Sequence, residues 1–241
     1  MHPKKNILNI DSGHRELLNI NELPTFCKLP ISYAQPELIH LTNAKVLKQT
    51  FHNYLTSFDL LEALVENQAS LKISLERPGI YIFLVFKGDF CFSNQNDSTT
   101  LKDSKNYCFI SYMPAGNYLK TITPGEHTTL IISCTLDWFI TQTQNLELFN
   151  NLIQHYTMGK TSVLNLPHCP LERSIVRPFK KLRSYGKKDI IKLDIAIHTF
   201  LNQFILYYYN KFHQKCFTSK TLRKHKAQEI KNLLKKISLR R

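Results

Sequence analysis

Hydrophobic and polar residues alternate with a period of two through the middle of the chain. From Leu71, LKISL places every second side chain apolar, and Arg77-Pro78-Gly79 breaks the run. GIYIFLVF follows, rich in β-branched and aromatic residues, and Lys87-Gly88-Asp89 turns the chain into DFCFS. After a polar loop over Asn94–Asp103, NYCFISYM predicts a strand and Pro114-Ala115-Gly116 a turn. NYLKTI is another strand, Pro124-Gly125-Glu126 another turn, and HTTLIISCT ends the series. Short strands at this spacing predict a barrel or sandwich. In the central strand Tyr81, Phe83 and Val85 share one face, and Ile82, Leu84 and Phe86 the other. Both faces are apolar, so both need cover.

Elsewhere the pattern differs. Residues 1–45 are punctuated by Pro24, Pro30 and Pro36 and read as an arm of short pieces. The run NYLTSFDLLEALVEN suits either helix or strand, because a short apolar run is not resolved by periodicity. After Thr135 the period lengthens. Leu136–Phe139 and LELFNNLIQHY predict helices, with Asp137 placed for a first helical turn. Thr157–Pro170 reads as a loop. LERSIVRPFKKLRS sets Leu171, Ile175, Phe179 and Leu182 at helical spacing, with Pro178 expected to bend or interrupt it. Beyond Gly186, Asp189–Phe212 predicts a long amphipathic helix on Ile190, Leu193, Ile197, Leu201, Phe204 and Tyr208. Its apolar face can close the barrel or pair with a second copy. Tyr207, Tyr208 and Tyr209 point different ways round it.

Composition adds one asymmetry. The net charge is +14, yet from Lys215 onward the chain carries ten Lys/Arg and one Glu. The basicity therefore concentrates in a tail whose last residues, KAQEIKNLLKKISLRR, predict a helix with Ala227, Ile230, Leu233, Leu234 and Ile237 on one face. The longest apolar stretch, Ile80–Phe86, is too short to cross a bilayer as a helix. No signal-like run opens the chain, and a soluble cytoplasmic protein without a membrane partner is expected. The six cysteines are scattered without a CxxC and read as buried or idle thiols, although pairs can still meet in space.

The order of arm, strands, helices and basic helical tail resembles the sensor half of AraC-type transcription regulators. The resemblance rests on Phe86-Lys87-Gly88 at a strand end, on the Tyr112-Met113-Pro114-Ala115-Gly116 and Gly125-Glu126-His127 turns, and on the helix from Leu136 to Ile140. It spans roughly residues 71–241. It implies an α+β fold: a cupin-like β-barrel of jelly-roll type over 46–135, preceded by the 1–45 arm. An α-helical linker and dimerisation segment over 136–214 and a basic tail over 215–241 would follow. The tail is similar to the first helix of that family's DNA-binding domain, which normally packs inside the domain while a later helix reads the major groove. A complete reader needs about 100 further residues after Arg241. The resemblance thus implies a sensor and dimerisation module truncated before its DNA-binding domain, with DNA contacted only through that absent part.

Candidate site residues follow from the barrel. Tyr81, Phe83, Phe90, Phe92, Phe109 and Tyr112 are candidates to line a site for a small organic effector, and the same aromatics would equally fill a solid core. Ile197, Leu201, Phe204 and Tyr208 are the candidate dimerisation residues of a homodimer. The ten histidines are dispersed without a His-x-His, Glu126-His127 being the nearest approach, so neither metal nor cofactor is expected. No nucleophile elbow or phosphate-cradling glycine loop appears, and no enzyme activity is expected. A stand-alone, non-catalytic cupin-like binder is the alternative, and a metal-dependent cupin-type enzyme a third. The Lys180-Lys181-Leu182-Arg183 cluster and the tail suit at most weak, salt-sensitive nucleic-acid contact.

Overall fold

A computed structural model describes residues 8–54, 56–88, 106–186 and 189–212. The basic tail, Phe90 and Phe92 lie outside these residues. Strands β1 (Leu8–Ile10), β2 (His14–Leu17), β3 (Gln35–Leu41), β4 (Ala44–His52) and β5 (Thr56–Val65) come first. They are followed by β6 (Ala69–Leu75), β7 (Gly79–Lys87), β8 (Tyr107–Met113), β9 (Gly116–Ile122) and β10 (Gly125–Cys134). Helix α1 (Leu136–Thr143), a 3-10 turn (Glu147–Phe149) and α2 (Asn150–Thr157) come next. After two bridges, β11 (Leu164–Asn165) and β12 (Cys169–Pro170), the chain ends its described part in α3 (Arg173–Leu182) and α4 (Ile190–Phe212).

The strands are antiparallel and form two open sheets. One has the order β1-β6-β9; the other runs β11-β8-β7-β10-β5-β4-β3-β2, with β12 also on β8. The fold is thus α+β and mostly antiparallel, and among the described residues neither sheet closes into a barrel. The proline turns explain the division. Pro78, Pro114 and Pro124 each stand where the chain passes from one sheet to the other. Proline offers no N–H to continue a ladder. The glycine at the end of β7 also has a steric reason. Gly88 has φ +74°, and a Cβ there would lie 2.2 Å from Nδ1 of His127.

Alternation along β7 now finds both its covers. Ile80, Ile82 and Leu84 pack with Cys108, Ile110, Leu130 and Ile132 against helical residues including Phe139, Phe179, Leu201 and Phe204. Tyr81, Phe83 and Val85 pack with Phe109, Ile131 and Leu61 against Leu71, Ile73, Tyr118 and Ile122 of the small sheet. The molecule is therefore three-layered: small sheet, large sheet, helices.

Several sequence expectations are refined. The ambiguous Phe51–Glu66 stretch is strand, because β5 pairs along its whole length with β4 and β10 and sheet context overrides its helix formers. The 1–45 segment supplies β1 to one sheet and β2 and β3 to the edge of the other. Its coil between β2 and β3 is fastened to the helical side by the buried Glu62 carboxylate, which accepts from the N–H groups of Lys28 (2.7 Å) and Leu29 (3.2 Å). Gln49 assists, accepting from Ile31 N–H at 2.8 Å. The loop read over Thr157–Pro170 carries β11 and β12, which extend the sheet at β8. That pairing brings Sγ of Cys108 and Cys169 to 3.2 Å as free thiols, so two of the scattered cysteines do meet. Pro178 lies inside α3 without interrupting it. The carbonyl it deprives, that of Ser174, belongs to an exposed residue.

Candidate functional site

Backbone register arranges the inner face of the large sheet, the one facing the small sheet, into lateral rows. One row is polar throughout: His52, Ser57, Ser133, Tyr81 and Ser111 follow one another across β4, β5, β10, β7 and β8. The next row reads Thr50, Asp59, Ile131, Phe83, Phe109, and the third Lys48, Leu61, Thr129, Val85, Tyr107.

This face is buried yet rich in hydrogen-bonding groups. Lys48 Nζ lies 3.5 Å from Asp59 Oδ1, and Thr50 Oγ1 donates to the same carboxylate at 2.8 Å. Among the described residues, the hydroxyls of Ser57, Tyr81 and Thr129 are buried without a hydrogen-bond partner. A buried hydroxyl left unpaired costs about 1–3 kcal/mol, so three on one face is a feature that needs a cause. Burial raises the Tyr81 phenol well above the usual tyrosine range, with the charges of Tyr118 and Asp59 adding to it. The phenol is therefore neutral and a donor at physiological pH.

Beside the polar row lies an aromatic stack. Phe83 and Phe109 are parallel at 4.6 Å, and the His168 ring covers Phe109 at 4.5 Å and Tyr107 at 4.9 Å. Together the face offers flat π surfaces, neutral hydroxyls and one buried ion pair. These side chains are packed against the small sheet, with Tyr81, Phe83 and Phe109 all buried.

Of the six candidate ligand residues, Tyr81, Phe83 and Phe109 converge on this face. Tyr112 does not: its β8 position faces the helices, and its hydroxyl donates to the Lys160 carbonyl at 2.6 Å. Phe90 and Phe92 lie outside the described residues. Lys48, Ser57, Asp59, Thr129 and His168 were not anticipated. A partial signal existed for Ser57 and Asp59, because in β5, TSFDLLEALV, they share one parity with Leu61, while Thr56 and Glu62 take the other. Thr129 resembled any strand threonine, and only pairing brings His168 to Phe109.

The candidate dimerisation residues lie on the inner face of α4. Ile197, Leu201, Phe204 and Tyr208 are at most 1% exposed and pack into the chain's own core under the large sheet. This inner face of α4 starts at Leu193, whereas Ile190 is exposed. The Tyr208 hydroxyl donates to the Pro167 carbonyl and that of Tyr207 to Pro170, so both hold the β12 segment. Helix α4 is long and apolar enough to span a membrane by length and composition. Its inward stripe is instead buried in the core.

Among the described residues no three His, Cys, Asp or Glu side chains are grouped as metal ligands would be. His127 Nε2 lies 2.8 Å from the Thr123 carbonyl in the turn before β10. Fold and site together define a class: an α+β protein with a polar, aromatic interior face between two antiparallel sheets. No protein-family model matches the chain, and no curated protein matches it.

Proposed function

We propose that this chain is the non-catalytic sensor module of an AraC-type regulator. Its cupin-like sandwich would hold a small organic effector between the two sheets. The observation that carries the reading is the trio of buried hydroxyls of Ser57, Tyr81 and Thr129 on one face of the large sheet, unpartnered among the described residues. Such groups are tolerated where a ligand completes them. The opposite face of the same strands packs on α1, α3 and α4. An effector that reseats β7 or β8 would therefore press directly on the helices, which is the route the resemblance to regulators requires.

The test is thermal unfolding in the presence of small cyclic polar metabolites. A ligand at about 100 times its Kd adds about 2.7 kcal/mol and raises Tm by roughly 5–10 °C for a chain of this size. Tyr81→Phe is expected to abolish that rise while leaving the unliganded protein as stable as the parent or about 1 kcal/mol more so, since an unpaired hydroxyl is removed. If Tyr81→Phe destabilises the unliganded protein, the hydroxyl has a structural partner and the reading fails.

A further inference from the structure

Eight large apolar side chains are exposed among the described residues, and four of them gather at one corner. Ile190 (71% exposed), Ile191 (77%) and Ile195 (61%) come from the start of α4, and Tyr54 (57%) from the β4–β5 turn. They share the lining of a groove of about 560 Å³. On the other flank of α4, a second groove of about 590 Å³ has Pro178, Leu182, Ala196 and Phe200 in its lining and carries Arg177, Lys181 and Lys192. Arg177 and Lys181 are one helical turn apart on α3, both exposed and without a carboxylate partner among the described residues. The carboxylates nearby are committed. Asp189 pairs with Lys192 at 3.6 Å, and Asp194 accepts from Asn53 and Tyr54 and lies 4.0 Å from His198. The corner is an apolar ridge of isoleucines with a surplus of cations beside it.

Charge decides what can cover it. A second copy meeting this patch through a two-fold axis would add a second Arg177 and Lys181 to the same surplus of cations, with the patch's carboxylates already committed. The chain's own segment 215–241 carries ten Lys/Arg and one Glu and is repelled in the same way. The occupant must be anionic and must take up apolar side chains that protrude. The isoleucines stand on a helix start and the tyrosine on a turn, all more than half exposed at the edge of their groove. Protruding aliphatic residues with a tyrosine among them and lysines around them are the chemistry of interfacial insertion into an anionic lipid surface.

We propose that the α3–α4 corner docks this protein on an anionic lipid bilayer, with Ile190, Ile191 and Ile195 entering the headgroup region and Arg177, Lys181 and Lys192 binding lipid phosphates. This is independent of the effector site and departs from the expectation of no membrane partner. The experiment is co-sedimentation of the full chain with vesicles of phosphatidylcholine alone or with about 30% phosphatidylglycerol. Partition onto the anionic vesicles only is expected, weakened by about 0.5 M salt. It should fall roughly tenfold in Ile191→Glu/Ile195→Glu and again in Arg177→Glu/Lys181→Glu, with melting temperatures unchanged. Absence of partition overturns the proposal. So does partition that both double variants leave intact, which would place the contact in the basic tail. A wild-type dimer that Ile191→Glu/Ile195→Glu dissolves, without vesicle binding, would assign the corner to a second copy. Capture of a synthetic acidic amphipathic peptide but not of vesicles would assign it to a protein helix. Either result overturns the lipid reading.

Discussion

Asp59 is 4% exposed and sits in a strand that is otherwise largely apolar, with Lys48 and Thr50 turned toward it from β4. Two charges removed from water gain little net stability from each other, but a lone one is costly. Asp59→Ala should therefore destabilise the protein by about 3–5 kcal/mol, while Lys48→Met with Asp59→Leu should stay within about 1–2 kcal/mol of the parent or exceed it. Urea denaturation of the single and double variants checks this. Buried acids also set a pH limit. Burial, helped by a hydrogen bond to Glu62 and its charge, pushes the Cys27 thiol from an ordinary 9.0 up to about 12. Burial and the charge of Tyr112 raise the Tyr118 phenol from 10.0 to about 12. Both protons are held more tightly in the folded state. Their stabilising contribution is complete below about pH 9 and is lost as pH rises toward 12. The denaturation midpoint is expected to fall steadily over that interval, and Cys27→Ser should flatten its first part. A midpoint that is level from pH 9 to 11.5 would contradict it. At this scale the sequence displays Asp59 and Tyr81 but neither the partners of the one nor the unpaired hydroxyl of the other, because both depend on strands far apart in the chain.

Elements were legible in proportion to their periodicity. β6, β7, β9 and β10 announce themselves by alternation or by dense β-branched residues between proline turns. α4 announces itself by steps of three and four. What periodicity does not state is which surface a stripe meets. The α4 stripe of Ile197, Leu201, Phe204 and Tyr208 is compatible with a dimer or with the sheet, and the structure packs it on the sheet. Leu201→Ala and Phe204→Ala are accordingly expected to cost about 2–5 kcal/mol each in monomer stability. Their denaturation midpoints should not depend on protein concentration, as they would if these residues held a dimer. Denaturation at two concentrations a hundredfold apart decides it. The β5 stretch was ambiguous for the converse reason. LLEALVE has helix propensity, and only pairing with β4 and β10 on both sides makes it extended.

At the scale of the whole molecule, the three layers divide the labour. The helical layer seals one face of the large sheet with apolar side chains, and the small sheet covers a face that keeps polar groups inside. The charge is divided too, with Arg177 and Lys181, unpaired among the described residues, collected beside exposed isoleucines at the α3–α4 corner. The sequence by itself determined the class of fold, the turns that end the strands and the helical identity of the second half. Those properties are local: alternation, proline's missing N–H and helical spacing act over a few residues. Tertiary structure alone decided that the strands divide into two open sheets. It alone set Ser57, Ser133, Tyr81 and Ser111 in one row, and turned the α4 stripe inward to leave Ile190, Ile191 and Ile195 at the surface. Register between strands and the choice of partner for an apolar face are settled by the summed burial of distant segments, which no window of the chain contains.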